Sequence, residues 1–490
     1  MFKRFIVLCV LLGGMVSVAR SAGDVRVVGP VYIKPVTGST TTVDVSNFPA
    51  TQTVSGSVAV SNFPATQPVS GTFWQTTQPV SGPLTNSELR ATGIPVIAAL
   101  GDSANLDAFS RLRVSNPEIL FEATNQSGAI SDTLESSTTL GGSALLISTA
   151  SRVELRTSVT SGSRALLQSH GYINYQPGKS QLVLLTAVFG PSTSNNSQQL
   201  GLFDNNNGIY FRVNGSGVAV CERSDVGGAI VDTCVNQSAW NIDPVDGSGR
   251  SGQTVVFQKT QIYVIDFQWL GVGRIRYGLD LNGVITYVHE THHNNIFSDV
   301  YMRTPNLPIR FENVNTAVAT PNTLNAICAA VISEGGSSET AGVYFSSSSV
   351  NTPRTVTATG GTVFAIRVTP GVRTTVLPLD ADIYSDGAIY YSVRYNPVVT
   401  AGTWVTVPGS AIDVLSSTGT VSGGRTIFGG YIGAASGTSK TVGSQAFRPS
   451  RARFATNIFG TSSDILAIVA YSVPSGNVGV AVSMDWAERR

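Results

Sequence analysis

The amino-acid sequence predicts an all-β protein, and three observations support that prediction. Charged residues make up only 12% of the 490 residues, about half the share of roughly 25% found in ordinary soluble domains. Glycine is abundant, with 50 copies, and so are Ser, Thr and Val, which suit the surface of a β-sheet. Stretches with the 3.6-residue apolar period of an amphipathic helix are nearly absent. We therefore expect an extended repeat stalk followed by two domains of the β-sandwich or jelly-roll type.

Residues 1–22 have the layout of a secretory signal peptide. Two basic residues, Lys3 and Arg4, precede an apolar run over 5–16, and small residues follow it. The apolar run is shorter than the about 20 residues that a membrane-spanning helix needs. We interpret the segment as an export signal. The alternatives are a short hydrophobic anchor that attaches the stalk to a larger assembly, or an N-terminus that is not the native start.

Residues 23–95 contain a tandem repeat and are predicted to form the stalk. VSNFPATQTVSG over 45–56 returns as VSNFPATQPVSG over 60–71, with a period of 15 residues, and the shortened copy TFWQTTQPVSG follows over 72–82. Each copy carries few apolar side chains, so it can bury them only against neighbouring copies or other chains. By analogy with other fibrous stalks, we expect a homotrimer. Its expected stalk core consists of Val45, Phe48, Val54, Val60, Phe63, Val69, Phe73 and Trp74.

Three further segments complete the predicted domain organisation. A junction over 96–119 leads into a first β domain over 120–345, where many short apolar runs are separated by turn residues. Within it, Asn282-Gly283 between two β-branched runs is a strong hairpin signal. A second β domain over 346–490 ends in two strands that we expect to pair with each other in an antiparallel hairpin. Many short strands at this spacing are typical of a sandwich or jelly roll.

The charge of the chain argues against nucleic acid as a partner. The formal net charge is +1, and no cluster of five or more Lys and Arg residues occurs. So small a charge gives no field that would steer a polyanion or an anionic membrane to the protein. Nucleic acid is therefore not expected among its partners.

Two cysteines, Cys221 and Cys234, flank a turn-rich stretch and could face each other on a hairpin. A disulfide requires Cα atoms about 4.4 to 6.8 Å apart, which paired strands can supply. Two alternatives stay open at this point: a bridge between these residues, or two reduced, partly buried thiols. We favour the reduced thiols.

The run His289-Glu290-Thr291-His292-His293 matches the HExxH motif of zinc proteases. That motif works on a helix, where one turn brings its two histidines to a single metal ion. The residues that lead into the run look like a β-hairpin arm, and four residues along a strand separate two side chains by about 13 Å. We therefore interpret the run as a solvated transition from strand to loop, with a structural metal as the alternative.

Two acidic turns, FDNNNG over 203–208 and DPVDGSG over 243–249, gather side-chain oxygens that could bind Ca²⁺. Both lack the spaced acids and the closing Glu of an EF-hand loop. Asn, Asp and Gly are also the residues that tight turns require. We assign no metal, no cofactor and no catalytic residue from the sequence. A glycan-cleaving enzyme, which needs two carboxylates in one cleft, stays an alternative.

Several long blocks follow one another in the second half of the junction and in both β domains. They are DAFSRLRVSNPEILFE from Asp107, YQPGKSQL from Tyr175, QIYVIDFQWLGVGRIRYG from Gln261, VYMRTPNLPIR from Val300, VISEGG from Val331, and the C-terminal DILAIVAYS and MDWAER. In this order the blocks resemble a family of structural proteins of tailed-phage virions. The upstream VSNFPATQPVSG repeats resemble the low-complexity stalks that precede such domains.

This resemblance implies a structural component of a phage-like virion, such as a fibre, a spike, or a decoration protein of capsid or tail. Such a protein lies on the exposed surface of the virion. From this assignment we expect the N-terminal region to contact other virion proteins, and the β domains to contact either a glycan or protein of the host surface or other parts of the virion. The alternatives are a spike that depolymerises glycans and, because the N-terminus looks exported, a secreted bacterial adhesin or cell-surface protein.

Overall fold

The computed structural model describes residues 105–114, 116–126, 130, 133–335, 342–349, 353–415, 419–433, 438–442, 454–474 and 476–489. All of them belong to one unit of the chain, Ile97–Arg490. The signal-like segment 1–22 and the repeat segment 23–95 lie outside the described residues. The expected stalk core also lies outside them; it comprises Val45, Phe48, Val54, Val60, Phe63, Val69, Phe73 and Trp74. Within the described part of the chain, no helix has the length and apolar character needed to cross a membrane.

The predicted all-β class is confirmed, and the described strands form two successive sandwiches. The first sandwich consists of β1 (Pro117–Thr124), β2 (Leu134–Thr139), β3 (Ser143–Ile147), β4 (Arg152–Arg156), β5 (Arg164–Ser169), β6 (Ser180–Val188), β7 (Asn196–Phe203), β8 (Gly208–Asn214), β9 (Gly217–Ser224), β10 (Val231–Asn236), β11 (Gln261–Phe267), β12 (Ile275–Leu281), β13 (Val284–Thr291), β14 (Ile309–Asn315) and β15 (Thr323–Glu334). Two single turns of 3₁₀ helix, Ser148–Ala150 and Gln237–Ala239, lie between strands. The first strand begins at Pro117, just before the predicted domain start at residue 120.

Two antiparallel sheets face each other in this sandwich. One has the order β13-β12-β11-β6-β15-β4-β3, with β1 also paired to β15, and the other has the order β10-β9-β8-β7-β14-β5-β2. Their inward side chains share one core, in which the ring of Phe211 packs 5.1 Å from Tyr263 and 5.5 Å from Tyr277, centre to centre. Such edge and tilted contacts between aromatic rings stabilise the core beyond the area that they bury.

The Asn282-Gly283 signal is confirmed as the turn between β12 and β13. Asn282 has φ 59° and Gly283 has φ 85°, the left-handed conformation that both central residues of this hairpin turn require. The two strands pair from Leu281 opposite Val284 outwards.

The junction packs against the outer face of the first sheet through a buried ionic network. Asp266 on β11 is fully buried and accepts hydrogen bonds from Arg276, at 2.5 Å, and from Tyr287, at 2.8 Å. Arg113 of the junction also pairs with Asp266. Arg276 in turn donates to the carbonyl of Leu106 at 2.6 Å. The last residues of the junction are therefore anchored to the sandwich that follows.

The second sandwich consists of thirteen described strands. They are β16 (Val343–Ser348), β17 (Arg354–Val356), β18 (Gly361–Val368), β19 (Thr375–Ser385), β20 (Ile389–Tyr395), β21 (Val398–Thr400), β22 (Trp404–Thr406), β23 (Ile412–Leu415), β24 (Thr420–Ser422), β25 (Arg425–Ile432), β26 (Thr438–Val442), β27 (Ile465–Ser472) and β28 (Val478–Arg489). One sheet has the order β16-β28-β19-β26, with β17 also on β28, and the other has the order β22-β23-β18-β27-β20-β25. The short antiparallel pair β21-β24, whose strands are separated in the chain by β22 and β23, covers part of the outer face of the second sheet, over Ala365, Leu415 and Ala467.

The last two strands correct the sequence prediction of a C-terminal hairpin. β27 pairs with β18 and β20, whereas β28 pairs with β16, β17 and β19, so the two strands lie in opposite sheets. The chain therefore passes from one sheet to the other between the end of β27 at Ser472 and the start of β28 at Val478. Alternate residues of β28, including Val480, Met484 and Trp486, point into the shared core. Each of the two strands has one apolar face. A strand shows this pattern both when its neighbour in sequence pairs with it in one sheet and when that neighbour lies in the facing sheet.

Candidate functional site

The two sandwiches meet at a seam built from loops of both. The loop after β5 provides His170 and Tyr172, and the segments before β19 and β27 contribute from the other side. Thr375 donates a hydrogen bond to the carbonyl of Tyr172 at 3.1 Å, and the backbone N–H of Ile458 donates to Glu135 at 3.1 Å. These contacts join residues that are more than 200 positions apart in the sequence.

A cleft of about 850 Å³ opens at this seam. Its walls carry five asparagines, several hydroxyl groups, two arginines and one carboxylate. The lining residues are Tyr172, Asn174, Asp204, Asn205, Asn206, Asn207, Arg303, Thr304, Asn306, Val372, Arg373, Thr374, Thr375, Gly409, Ser410 and Ala411. Side-chain amides both donate and accept hydrogen bonds, so this wall can pair with ligand groups of either kind.

The asparagine-rich turn 204–207 is held rigid by its own side chains. Oδ1 of Asp204 accepts hydrogen bonds from the backbone N–H groups of Asn206, at 2.7 Å, and Asn207, at 2.8 Å. Arg310 donates to the side-chain oxygen of Asn205 at 2.8 Å. A carboxylate that binds the backbone two residues ahead is a standard turn former. The FDNNNG motif therefore folds as a tight turn between β7 and β8.

Tyr172 connects the two walls of the cleft. Its hydroxyl donates to Oδ2 of Asp204 at 2.9 Å and accepts a hydrogen bond from Arg373 of the second sandwich. The Arg373 guanidinium also lies 4.9 Å from the centre of the Tyr172 ring. Burial and the neighbouring Asp204 carboxylate raise the pKa of Tyr172 above its ordinary value. The hydroxyl stays protonated and keeps a partly exposed ring in a fixed position at the cleft.

An ionic cluster closes the seam beside the cleft. His170 lies between two carboxylates, with Nε2 2.6 Å from Asp464 and Nδ1 3.4 Å from Glu135. Burial lowers the pKa of His170, but the hydrogen bonds that its imidazolium donates to both carboxylates outweigh it and raise the pKa to about 10. His170 is therefore protonated at neutral pH. Asp464 is further fixed by Asn396, which donates to it at 2.7 Å.

The HExxH run is a transition from strand to loop as predicted, but the expectation that it is solvated needs correction, because His289 is only 6% exposed and His293 only 2%. β13 ends at Thr291. His289 accepts a hydrogen bond from the backbone of Asn241 at 3.2 Å, whereas His293 binds Glu222 at 2.7 Å and the Gly273 carbonyl at 2.6 Å. The two histidines thus have separate partners. Among the described residues, no group of three or more His, Cys, Asp or Glu side chains is arranged to hold a metal ion.

The second acidic turn also uses its oxygens internally. Asp243 accepts hydrogen bonds from the backbone of Val245 at 2.8 Å and of Ser251 at 2.6 Å, one on each carboxylate oxygen. Turn formation explains the acidic residue in this loop.

Cys221 and Cys234 are joined by a disulfide, which replaces the reduced thiols favoured from the sequence. The register of β9 and β10 places them directly opposite each other, with Cα atoms 4.1 Å apart. The signal was present in the sequence as two cysteines around a turn-rich stretch, but only the register makes them partners. Cys328 on β15 is a free thiol.

The fold and the seam define a class: an all-β protein with two consecutive sandwiches and a polar cleft between them. No family model matches the chain, and no curated protein matches it. Among solved structures, a β-1,3-glucanase from Mycobacterium marinum is 12% identical over 44% of this chain and 98% of its own, with a TM-score of 0.31. The Emp47p carbohydrate recognition domain is 11% identical over 44% and 96%, with a TM-score of 0.27.

A third similar structure is the CBM2 module of the evolved Dit of Lactobacillus casei BL23 phage J-1. It is 5% identical over 46% of this chain and 99% of its own, with a TM-score of 0.30. The TM-scores of all three structures are too low to support a conclusion about function. The all-β assignment rests on the strand pairing of the chain itself.

The residues of the cleft come from five separate loops, which explains why the sequence did not reveal the site. Of these loops, only 203–208 drew notice as a cluster of polar side chains. Tyr172 and Arg373, the two residues that connect the walls, lie in stretches without any recognisable motif.

Proposed function

We propose that this protein is a structural component of a phage-like virion and that its paired sandwiches bind a glycan of the host surface in the cleft at the seam. The virion assignment is supported by the sequence blocks from Asp107 onward and by the repeats of 23–95. The observation that carries the binding assignment is the amide-rich wall of the 850 Å³ cleft.

The chemistry of the cleft matches sugar hydroxyl groups. Each hydroxyl donates one hydrogen bond and accepts others, and an Asn side chain can also do both. The side-chain oxygens of Asn205, Asn207 and Asn306 already accept hydrogen bonds from the protein. Tyr172 adds an aromatic ring beside these groups, and its position is fixed by Asp204 and Arg373. A concave site with a few rigid polar groups is the usual form of a binding pocket for a small ligand.

The same cleft favours binding over glycan cleavage. Asp204 is the single carboxylate among the described residues that line it. Glycosidases of the common type need two carboxyl groups, about 5 to 9.5 Å apart, on either side of the scissile bond. Moreover, Asp204 already accepts hydrogen bonds from Asn206, Asn207 and Tyr172. A carboxylate held in this way is a structural acceptor rather than a general acid.

Weak binding by one cleft would suffice if the protein is trimeric. Three linked clefts raise the effective concentration of the second and third binding events, so overall avidity can exceed single-site affinity by about 10² to 10⁴. A secreted adhesin would use the cleft in the same manner. Glycan binding therefore does not distinguish an adhesin from a virion protein, and the location of the protein must be measured.

Two experiments test this proposal. In the first, the full chain is applied to an array of bacterial surface polysaccharides, and an Arg373→Ala variant is compared with Arg250→Ala, which removes an exposed arginine outside the cleft. We expect loss of binding with Arg373→Ala only. Equal binding by both variants would exclude the cleft as the glycan-binding site.

The second experiment tests the location. Purified phage-like particles from the source are analysed by mass spectrometry and cryo-electron microscopy. We expect peptides of this chain in the particles and density for its two sandwiches on the outer surface. If the chain is absent from particles and is recovered from the cell surface or medium, the virion assignment is wrong, whatever the array shows.

A further inference from the structure

Three tyrosines form a row across the outer face of the six-stranded sheet in the second sandwich. Tyr390 on β20 is the direct cross-strand partner of Tyr471 on β27 and of Tyr431 on β25. Its ring centre lies 5.9 Å from that of Tyr471 and 5.1 Å from that of Tyr431. None of the three residues lines the cleft at the seam. We call this group the tyrosine row.

Glycines allow two of these rings to lie close against the sheet. A Cβ atom at Gly429 would be 2.9 Å from the hydroxyl oxygen of Tyr390. At Gly360 it would be 2.3 Å from Cε1 of Tyr471. The two side chains therefore lean along the backbone over these glycines instead of projecting into solvent. Aromatic cover over a strand glycine also stabilises a sheet, which accounts for Tyr390 over Gly429 of β25, whereas Gly360 under Tyr471 lies in the turn before β18.

Contact with Tyr390 covers only part of the Tyr431 side chain. This side chain lies on the edge strand β25 and is 69% exposed, yet it continues the row. Arg394 borders the other end, where it donates a hydrogen bond to the Tyr471 hydroxyl at 2.5 Å and another to the carbonyl of Gly423 at 3.3 Å. The row thus combines exposed aromatic surface with hydroxyl groups and a guanidinium at its border.

The size of the row argues for a small ligand rather than a protein partner. Fully covered, three aromatic side chains would bury at most about 750 Å². Tyr390 and Tyr471 are already mostly covered, so much less remains. A stable protein interface buries roughly 800 Å² on each partner. A few sugar rings fit the area that is left.

Charge complementarity identifies the class of ligand. The face of an aromatic ring carries the negative part of its quadrupole. One face of a pyranose sugar presents C–H bonds, whose hydrogens are slightly positive, and its edge presents hydroxyl groups. We propose that the tyrosine row is a second glycan-binding site, which stacks two or three rings of a neutral hexopyranose chain on Tyr431 and Tyr390 and hydrogen-bonds their hydroxyls through Arg394.

The test uses affinity gel electrophoresis of the full chain in gels that contain laminarin, dextran or hydroxyethyl cellulose. Tyr431→Ala is compared with Tyr344→Ala, a matched control that removes a 63% exposed tyrosine from β16, in the opposite sheet. We expect retardation by at least one polysaccharide, about tenfold weaker affinity for Tyr431→Ala, and an unchanged affinity for Tyr344→Ala. Tyr431→Phe keeps the ring and should retain most of the binding.

Arg373→Ala in the same gels separates the row from the cleft. It removes the contribution of the cleft to binding, and adding Tyr431→Ala to it should weaken the remaining affinity about tenfold. If Arg373→Ala loses retardation while Tyr431→Ala keeps it, the probe binds in the cleft, and the row proposal fails while the proposed function is strengthened. Unchanged mobility of the unaltered protein in all three gels would also overturn the row proposal.

Discussion

His170 and Asp464 are 294 residues apart in the chain, and they form a hydrogen bond of 2.6 Å that joins one sandwich to the other. Asp464 is almost completely buried, and Glu135 lies on the opposite side of the imidazole ring. The positive charge of His170 is thus shared by two carboxylates, one from each sandwich. The strength of the seam therefore depends on the protonation of one histidine.

The seam should weaken at alkaline pH. The pKa of His170 is about 10 in the folded protein, against 6.5 in an unfolded chain. The stabilisation from its charge is therefore complete below pH 6.5 and is lost as the pH rises from 6.5 through 10. We expect the melting temperature to fall over this range. His170→Gln should lower stability by about 2 kcal/mol at pH 6, the scale of a hydrogen bond to a charged group, and flatten the pH dependence. An unaltered slope in His170→Gln would show that other groups cause it.

Reduction of the disulfide should destabilise the edge of the first sandwich. The bridge closes a loop with a sequence separation of 13, and a loop of this length contributes about 3 kcal/mol in the chain-entropy account. Thermal melts with and without a reducing agent measure the effect, and the Cys221→Ala/Cys234→Ala variant should match the reduced protein. Cys328→Ala is the control, and its response to reduction should equal that of the unaltered protein. Identical melts in both redox states would contradict the bridge.

Asp266→Ala should be among the most damaging single changes in the first sandwich. It leaves the guanidinium of the fully buried Arg276 without its carboxylate. Loss of one partner of a buried ion pair costs about 3 to 5 kcal/mol. Arg111→Ala, which breaks a half-exposed pair with Asp107, should cost less than about 1 kcal/mol. Denaturant melts compare the two, and a similar small loss in both would show that the network is dispensable.

Gly360→Ala should displace the ring of Tyr471. Gly360 has φ +84°, and a Cβ atom there meets the ring at 2.3 Å. Gly371→Ala is a close control, because Gly371 has φ +85° with open space around its Cβ position. Both variants should lose about 1 kcal/mol from backbone strain. Only Gly360→Ala should lose more and change the near-ultraviolet circular dichroism of tyrosine. Equal losses and unchanged spectra would mean that Tyr471 does not lie over this glycine.

The sequence was most informative where the determining interactions are local. The Asn282-Gly283 turn needs two left-handed residues, and both the residue types and the flanking strands are visible within a few positions. A helical HExxH motif could be rejected from the sequence, because the residues directly before it already show the pattern of a β-strand. In both cases neighbouring residues carry the whole signal.

The sequence was misleading or silent where partners are distant. Strands β27 and β28 each show one apolar face, and that pattern does not state which strand lies beside them. The sequence between β27 and β28 is typical of a hairpin turn when read alone, although these two strands lie in opposite sheets. Cys221 and Cys234 are close enough in sequence to be candidates for a disulfide, yet the register of β9 and β10 decides whether they face each other.

The sequence by itself determined the all-β class, because alternation of apolar and polar residues and turn residues are properties of short segments. Only the tertiary structure decided which strands share a sheet, how the two sandwiches meet, and where the cleft and the tyrosine row lie. His170 contacts Asp464, and Tyr390 contacts Tyr431 and Tyr471, although long stretches of chain separate these partners. Such contacts are selected by burial and register across the whole fold, and no local pattern encodes them.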